Sequence, residues 1–147
     1  MHARSSRAIL APGLLGALCL LGAAGGSSAA TLKFAAQLTG AQETPPNDSQ
    51  GKGQVSASLD TASKTFTYSA SYSGLTGPAT GAHFHLGAPG KSGPPVVPVA
   101  NPANPISGTA TLTDAQVHDL KAGKWYFNVH TAAHPGGEIR GQLKAAP

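Results

Sequence analysis

Thr65-Phe66-Thr67-Tyr68-Ser69-Ala70-Ser71-Tyr72 alternates hydroxyl-bearing and apolar side chains without a break. A period of two puts Phe66, Tyr68, Ala70 and Tyr72 on one face of an extended strand and the hydroxyls on the other, which is the pattern of a strand with one face on a core. The same period recurs to either side. Leu32, Phe34, Ala36 and Leu38 alternate with Thr31, Lys33, Ala35 and Gln37, and Val55, Ala57 and Leu59 with Gln54, Ser56 and Ser58. Trp125, Phe127 and Val129 alternate with Tyr126, Asn128 and His130. Between these runs lie Thr39-Gly40, Pro45-Pro46-Asn47-Asp48, Asp60-Thr61-Ala62-Ser63, Ser73-Gly74, Gly87 to Pro95 and Asn101 to Pro105, whose residue types favour turns and loops. Short half-buried strands separated by regular turn signals predict an all-β protein: an antiparallel immunoglobulin-like or Greek-key sandwich.

One short connector helix interrupts the strands. Thr113-Asp114-Ala115-Gln116 reads as a capping box, with Leu112 and Val117 placed as a hydrophobic staple. Asp114 complements the helix dipole, and Gly123 supplies the stop. The proline-rich stretch Gly87–Pro105 allows at most an edge strand around Val96-Val97-Pro98-Val99.

Residues 1–30 read as a secretory signal peptide. Arg4 and Arg7 charge its start, Ile9 to Ala24 form its apolar run, and Gly25 to Ala30 form a small-residue exit with cleavage after Ala29 or Ala30. Residues 31–147 then form one domain, exported to a periplasmic or extracellular space and free of the membrane after cleavage. The one cysteine, Cys19, falls in the leader, so the domain has no disulfide and rests on packing, sheet hydrogen bonds and metal. The chain has ten basic residues against six acidic ones, and two of the ten leave with the leader. No basic run exists, which argues against a nucleic-acid partner; the slight positive balance suits a small anion.

Histidine is the unusual feature. His2 lies in the leader, and four of the remaining five histidines form two clusters, His83-Phe84-His85 and His130-Thr131-Ala132-Ala133-His134. On a strand, His83 and His85 share one face with Phe84 on the other, so both rings can reach one ion. His130 lies opposite the apolar face of its strand, and His134 sits in the following turn. His83, His85, His130 and His134 are therefore the expected metal ligands. His118, on the connector helix, has no partner at ligand spacing and is expected to be solvated. With no cysteine and no carboxylate cluster in the domain, thiolate zinc sites and hard-cation cages are excluded. Imidazoles in that number fit copper first and zinc second. Glu138, Arg140 and Gln142 share a strand face, which becomes the histidine face if that strand pairs with Trp125–His130. Arg140 is then the candidate catalytic residue, holding an anion near the metal, and Glu138 orients a ligand imidazole.

Three separated stretches resemble the chordin-type (CHRD) domain family: Leu38-Thr39-Gly40-Ala41-Gln42-Glu43-Thr44-Pro45-Pro46; Ala82-His83-Phe84-His85-Leu86-Gly87-Ala88-Pro89-Gly90; and Trp125-Tyr126-Phe127-Asn128-Val129-His130-Thr131 with Gly137-Glu138-Ile139-Arg140-Gly141-Gln142-Leu143. The resemblance runs from about Leu32 to Leu143. It implies an immunoglobulin-like antiparallel β-fold, secretion, and a shared polar site at His83, His85, His130 and Arg140. A looser similarity, confined to the site, links the His-x-His strand and nearby arginine to copper–zinc superoxide dismutases. There is no bridging zinc set, no disulfide and no matching motif order. The functions expected are an exported copper protein that dismutates superoxide, a non-enzymatic secreted binding module, or a copper storage or delivery protein.

Overall fold

The computed structural model describes residues 28–147. The expected signal peptide lies outside them but for Ser28, Ala29 and Ala30. Nine strands follow in chain order: β1 (Thr31–Thr39), β2 (Lys52–Asp60), β3 (Thr65–Ser73), β4 (Ala79–Leu86), β5 (Pro95–Pro98), β6 (Ile106–Thr111), β7 (Trp125–Thr131), β8 (Ile139–Gln142) and β9 (Lys144–Ala146). A 3-10 turn, Gly40–Gln42, follows β1, and helix α1 (Asp114–Lys121) joins β6 to β7.

All pairings are antiparallel, as the alternation predicts. The expected division into the two sheets of an immunoglobulin-like or Greek-key sandwich is not what forms. One continuous sheet runs β5-β4-β7-β8-β1-β2-β3-β6, with β9 also on β1. The reason lies in β1. It pairs with β2 along its whole length on one side, and gives its other side to β8 at Thr39↔Arg140 and to β9 at Lys33↔Ala146. That shared strand joins the two halves into one ladder.

The sheet curls back on itself. β3 and β4 are not neighbours in the ladder, yet Phe66 and Phe84 meet edge to face at 5.0 Å and Tyr68 meets Phe84 at 4.9 Å. Trp125 and Phe127 complete an aromatic centre whose ring geometries are the favoured tilted ones. Phe34, Leu38, Val55, Leu59 and Ile139 extend it, all buried. Helix α1 forms with the expected capping box: the Gln116 N–H donates to Thr113 Oγ1 (3.2 Å) and the Thr113 N–H to Gln116 Oε1 (2.9 Å). Gly123 ends it at φ +73°, and Leu120 plugs it into the core.

Two strands have no clear sequence signal. In β6 only Ile106 is strongly apolar. Gly108 stands where the Tyr68 ring of the neighbouring strand takes up the space a side chain would need, so the alternation fades. β9 reads Lys144-Ala145-Ala146 and is defined by its partner β1 alone. β5 is an edge strand bounded by Pro95 and Pro98, as its prolines require.

The site is positioned by a departure from simple alternation. Both faces of β7 are buried: Trp125, Phe127 and Val129 face the core, while Tyr126 and Asn128 are covered from outside. Two loops make that cover. The loop after β1 brings Thr44 to Arg140, and the loop after β4 brings Gly87 to Gln142 and Gly93 to Tyr126.

Candidate metal centre

The antiparallel register of β4, β7 and β8 decides which side chains meet. His83, Asn128 and Arg140 form one cross-strand row, and His85, Tyr126 and Gln142 the next. These residues stand on the outer face of the sheet, with His130 one pleat beyond Asn128. One ring nitrogen from each of His83, His85 and His130 lies within 4.8 Å of the other two. His85 is buried, and His83 and His130 are half-buried.

Hydrogen bonding fixes the chemistry of two of the rings. His85 Nδ1 lies 2.9 Å from the Gly93 carbonyl oxygen, and His130 Nδ1 lies 3.0 Å from that of Pro135. A carbonyl can only accept, so each Nδ1 carries the proton and each neutral ring keeps its lone pair on Nε2. This carbonyl-fixed tautomer is the usual support for an imidazole that binds metal. His85 Nε2 is buried with no hydrogen-bond partner, so that lone pair is available to an ion. His130 Nε2 lies 3.2 Å from His83 Nδ1. Two nitrogens each about 2 Å from one ion stand roughly this far apart. Burial, then the neighbouring imidazoles, hold the His83 ring below the usual histidine range. Burial also lowers His85, outweighing the Gly93 carbonyl that raises it. Both therefore favour the neutral form that metals bind.

His134 does not join the group. Reciprocal backbone bonds close a tight turn between Thr131 and His134, and this turn sets His134 apart from the three strand histidines. His118 is exposed on α1, beside Asp119, as expected.

Arg140 is only 2% exposed. Its Cζ lies 3.5 Å over the Tyr126 ring, a cation–π contact. Nη1 donates to Thr44 Oγ1 (3.2 Å), and Nη2 donates to the Ala88 carbonyl and Gln142 Oε1 (3.3 and 3.2 Å). The Tyr126 ring in turn stacks on His85, with 4.8 Å between centroids and 5° between planes. Tyr126 therefore lies between guanidinium and imidazole, approached by His85 from the β4 side and Arg140 from the β8 side. Arg140 and Glu43 also line a cleft of about 380 Å³ with Gln42, Thr44 and Gln142, which the three histidines do not line.

Glu138 departs from its expected place on the histidine face. Ser49 donates to its Oε1 at 2.6 Å, Thr131 and Thr76 hydroxyls donate to Oε2 at 2.6 and 2.8 Å, and the Thr76 N–H donates to Oε1 at 2.9 Å. Thr131 faces the same side as Val129, so the carboxylate has turned away from the imidazoles. Gly137, at φ +129°, breaks the alternation just before it. Glu138 therefore orients no imidazole.

The carboxylate beside the site is Glu43, from the loop after β1. Its residue is 6% exposed, and its Oε1 is buried with no partner. Burial pushes this carboxyl up to about 7, although the Arg140 charge, the Asn128 amide and the Thr44 backbone pull it down. The alternation of β7 already puts Tyr126 and Asn128 on the His130 face; the arrival of Glu43 beside Asn128 leaves no signal in the sequence.

A family model described as CHRD domain matches residues 34–143. No curated protein and no solved structure matches the chain.

Proposed function

The chain belongs to the CHRD domain family, and from that premise we propose that its clustered imidazoles hold one divalent metal ion, copper before zinc, in an exported domain that dismutates superoxide. The observation that carries this reading is the convergence of His83, His85 and His130 within 4.8 Å. The backbone acceptors on two of these rings support it, because they leave the Nε2 lone pairs of His85 and His130 free for an ion. Copper held by His83, His85 and His130 would supply one-electron chemistry, taking an electron from one superoxide to release O2 and giving it to a second, which leaves as H2O2 with two protons from solvent. The protein's part is to hold the rings in place, with His83 and His85 favoured in the neutral form, and to leave His83 and His130 half-exposed so that the anion has access. Arg140 acts through its charge. Its hydrogen bonds to Thr44, Ala88 and Gln142 hold it, and it gives the buried floor of the site a positive field one aromatic ring from His85. Export agrees with the secretion expected of a CHRD domain. Among the described residues no helix is long and apolar enough to cross a membrane.

The test is metal titration of the purified protein followed by a superoxide assay. One equivalent of Cu²⁺ taken up, with uptake abolished by His83→Ala or His130→Ala, supports the centre. Turnover of superoxide by the copper form then supports the enzyme, and its absence leaves storage or delivery by the same ligands. Failure to take up Cu²⁺ or Zn²⁺ removes the centre and leaves a non-enzymatic binding module.

A further inference from the structure

We infer that Asn128 supplies a fourth ligand to this centre, its side-chain carbonyl oxygen completing a set of three nitrogens and one oxygen, with Glu43 fixing which way the amide points. The inference rests on the metal reading above and adds to it an oxygen donor from the floor of the site.

Asn128 is 2% exposed and is the cross-strand partner of His83. On the shared face it stands one row from His85, and its amino nitrogen and Glu43 Oε1 both flank Gly137. The two ends of the amide can be told apart. Asn128 Nδ2 and Glu43 Oε1 crowd the same point above Gly137, so the amino end faces the carboxyl group. A carboxyl oxygen can accept and an amino group can donate, so this orientation is the favourable one even though the two stop short of a hydrogen bond. The carbonyl end is thereby turned to the histidines. Asn128 Oδ1 is buried and has no donor, and the same is true of His85 Nε2, whose ring proton is already committed to Gly93 on the opposite nitrogen.

Two buried acceptors, on neighbouring strands of one site, thus have no donor. Buried acceptors are seldom left so, and one cation held between them would satisfy both. Three of the four buried polar atoms without partners among the described residues belong to this one cluster: His85 Nε2, Asn128 Oδ1 and Glu43 Oε1. A neutral amide oxygen adds no charge, so the centre keeps the full charge of its ion, which suits an anionic substrate. An oxygen donor also favours a divalent ion over Cu(I), which prefers softer ligands.

The test uses ¹⁵N-labelled protein and Zn²⁺, which is diamagnetic. The Asn128 side-chain amide is assigned by its loss in Asn128→Asp. We expect it to shift in step with the imidazole nitrogens of His83, His85 and His130, saturating at one equivalent. Histidine shifts with an unmoved Asn128 would overturn the inference while leaving the three-histidine centre standing. No response from any of the four would remove the centre and the inference together. An Asn128 signal that follows pH but ignores Zn²⁺ would assign the gap to a proton and overturn the inference. Asn128→Leu, of similar volume, is expected to weaken Zn²⁺ binding by about 10- to 100-fold. Asn128→Asp is expected to keep it; binding unchanged in Asn128→Leu would count against the oxygen. Glu43→Gln replaces the carboxyl with an amide that offers both a donor and an acceptor, and is expected to split the Asn128 amide into two orientations. A single unshifted set of signals would exclude Glu43 from the arrangement.

Discussion

At the scale of single residues, the site depends on small groups that a sequence displays without explaining. Gly137 is one. Its φ of +129° disfavours any side chain, and a Cβ there would run into the Glu43 carboxylate and come within 2.7 Å of Asn128 Nδ2. Gly137→Ala should destabilise the protein by about 1–3 kcal/mol and weaken metal uptake; denaturant unfolding and calorimetric titration will read both, and unchanged values would contradict the packing described. His134 offers the converse case. His134→Ala should keep one equivalent of metal, whereas His130→Ala should lose it, and a loss in both would return the turn histidine to the ligand set. The candidate ligands were legible because a period of two fixes which side chains share a face. His83 and His85 had to point the same way, and His130 had to oppose Val129. Glu43 was not legible, because it arrives on a loop whose path no local pattern encodes.

At the scale of elements, the strands with strong alternation were readable and those with weak alternation were not. Helix α1 was readable in full because capping chemistry is local: Thr113→Ala removes the Oγ1 that accepts the Gln116 N–H, and should cost about 1 kcal/mol in unfolding free energy. β6 was missed because Gly108 yields its space to Tyr68, a contact set by a distant strand. The turning of Glu138 was missed for a similar reason. Its partners Ser49, Thr76 and Thr131 come from the β1–β2 loop, the β3–β4 loop and β7. The two loops over β7 depend on Arg140, which reaches Thr44 in one and Ala88 in the other. Lysine has no planar fork to bond both. Arg140→Lys should therefore expose the Gly87–Lys91 segment to proteolysis faster than wild type, and an unaltered cleavage rate would show the loops to be held by something else.

At the scale of the whole molecule, stability links to pH through Glu138. Burial raises this carboxyl, but the bonds from Ser49, Thr131 and Thr76 together outweigh burial and bring it down to about 2, from an ordinary 4.5. A depressed acid stabilises the fold above its unfolded value and loses that contribution as pH falls from about 4.5 to about 2. Roughly 2 kcal/mol is at stake once solvent screening is allowed for. Glu138→Gln should thus lower stability near neutrality and flatten its acid limb; parallel curves for mutant and wild type would contradict this. Bound metal should add to stability by mass action, about 2.7 kcal/mol at a free concentration one hundred times its dissociation constant, read as a rise in melting temperature. The all-β antiparallel class follows from pattern alone, but the continuity of the sheet does not, because it depends on β1 sharing its second edge between β8 and β9.

The two-sided burial of β7 carries a consequence for how the molecule comes apart. A strand paired on both edges and covered on both faces is among the last to exchange its amide hydrogens with deuterated water. Asn128 and His130 ride on that strand, and His83 and His85 on its immediate neighbour. Brief openings that release β5 or β9 therefore leave the four side chains in register, so an ion bound there should leave on heating only when the entire sheet gives way.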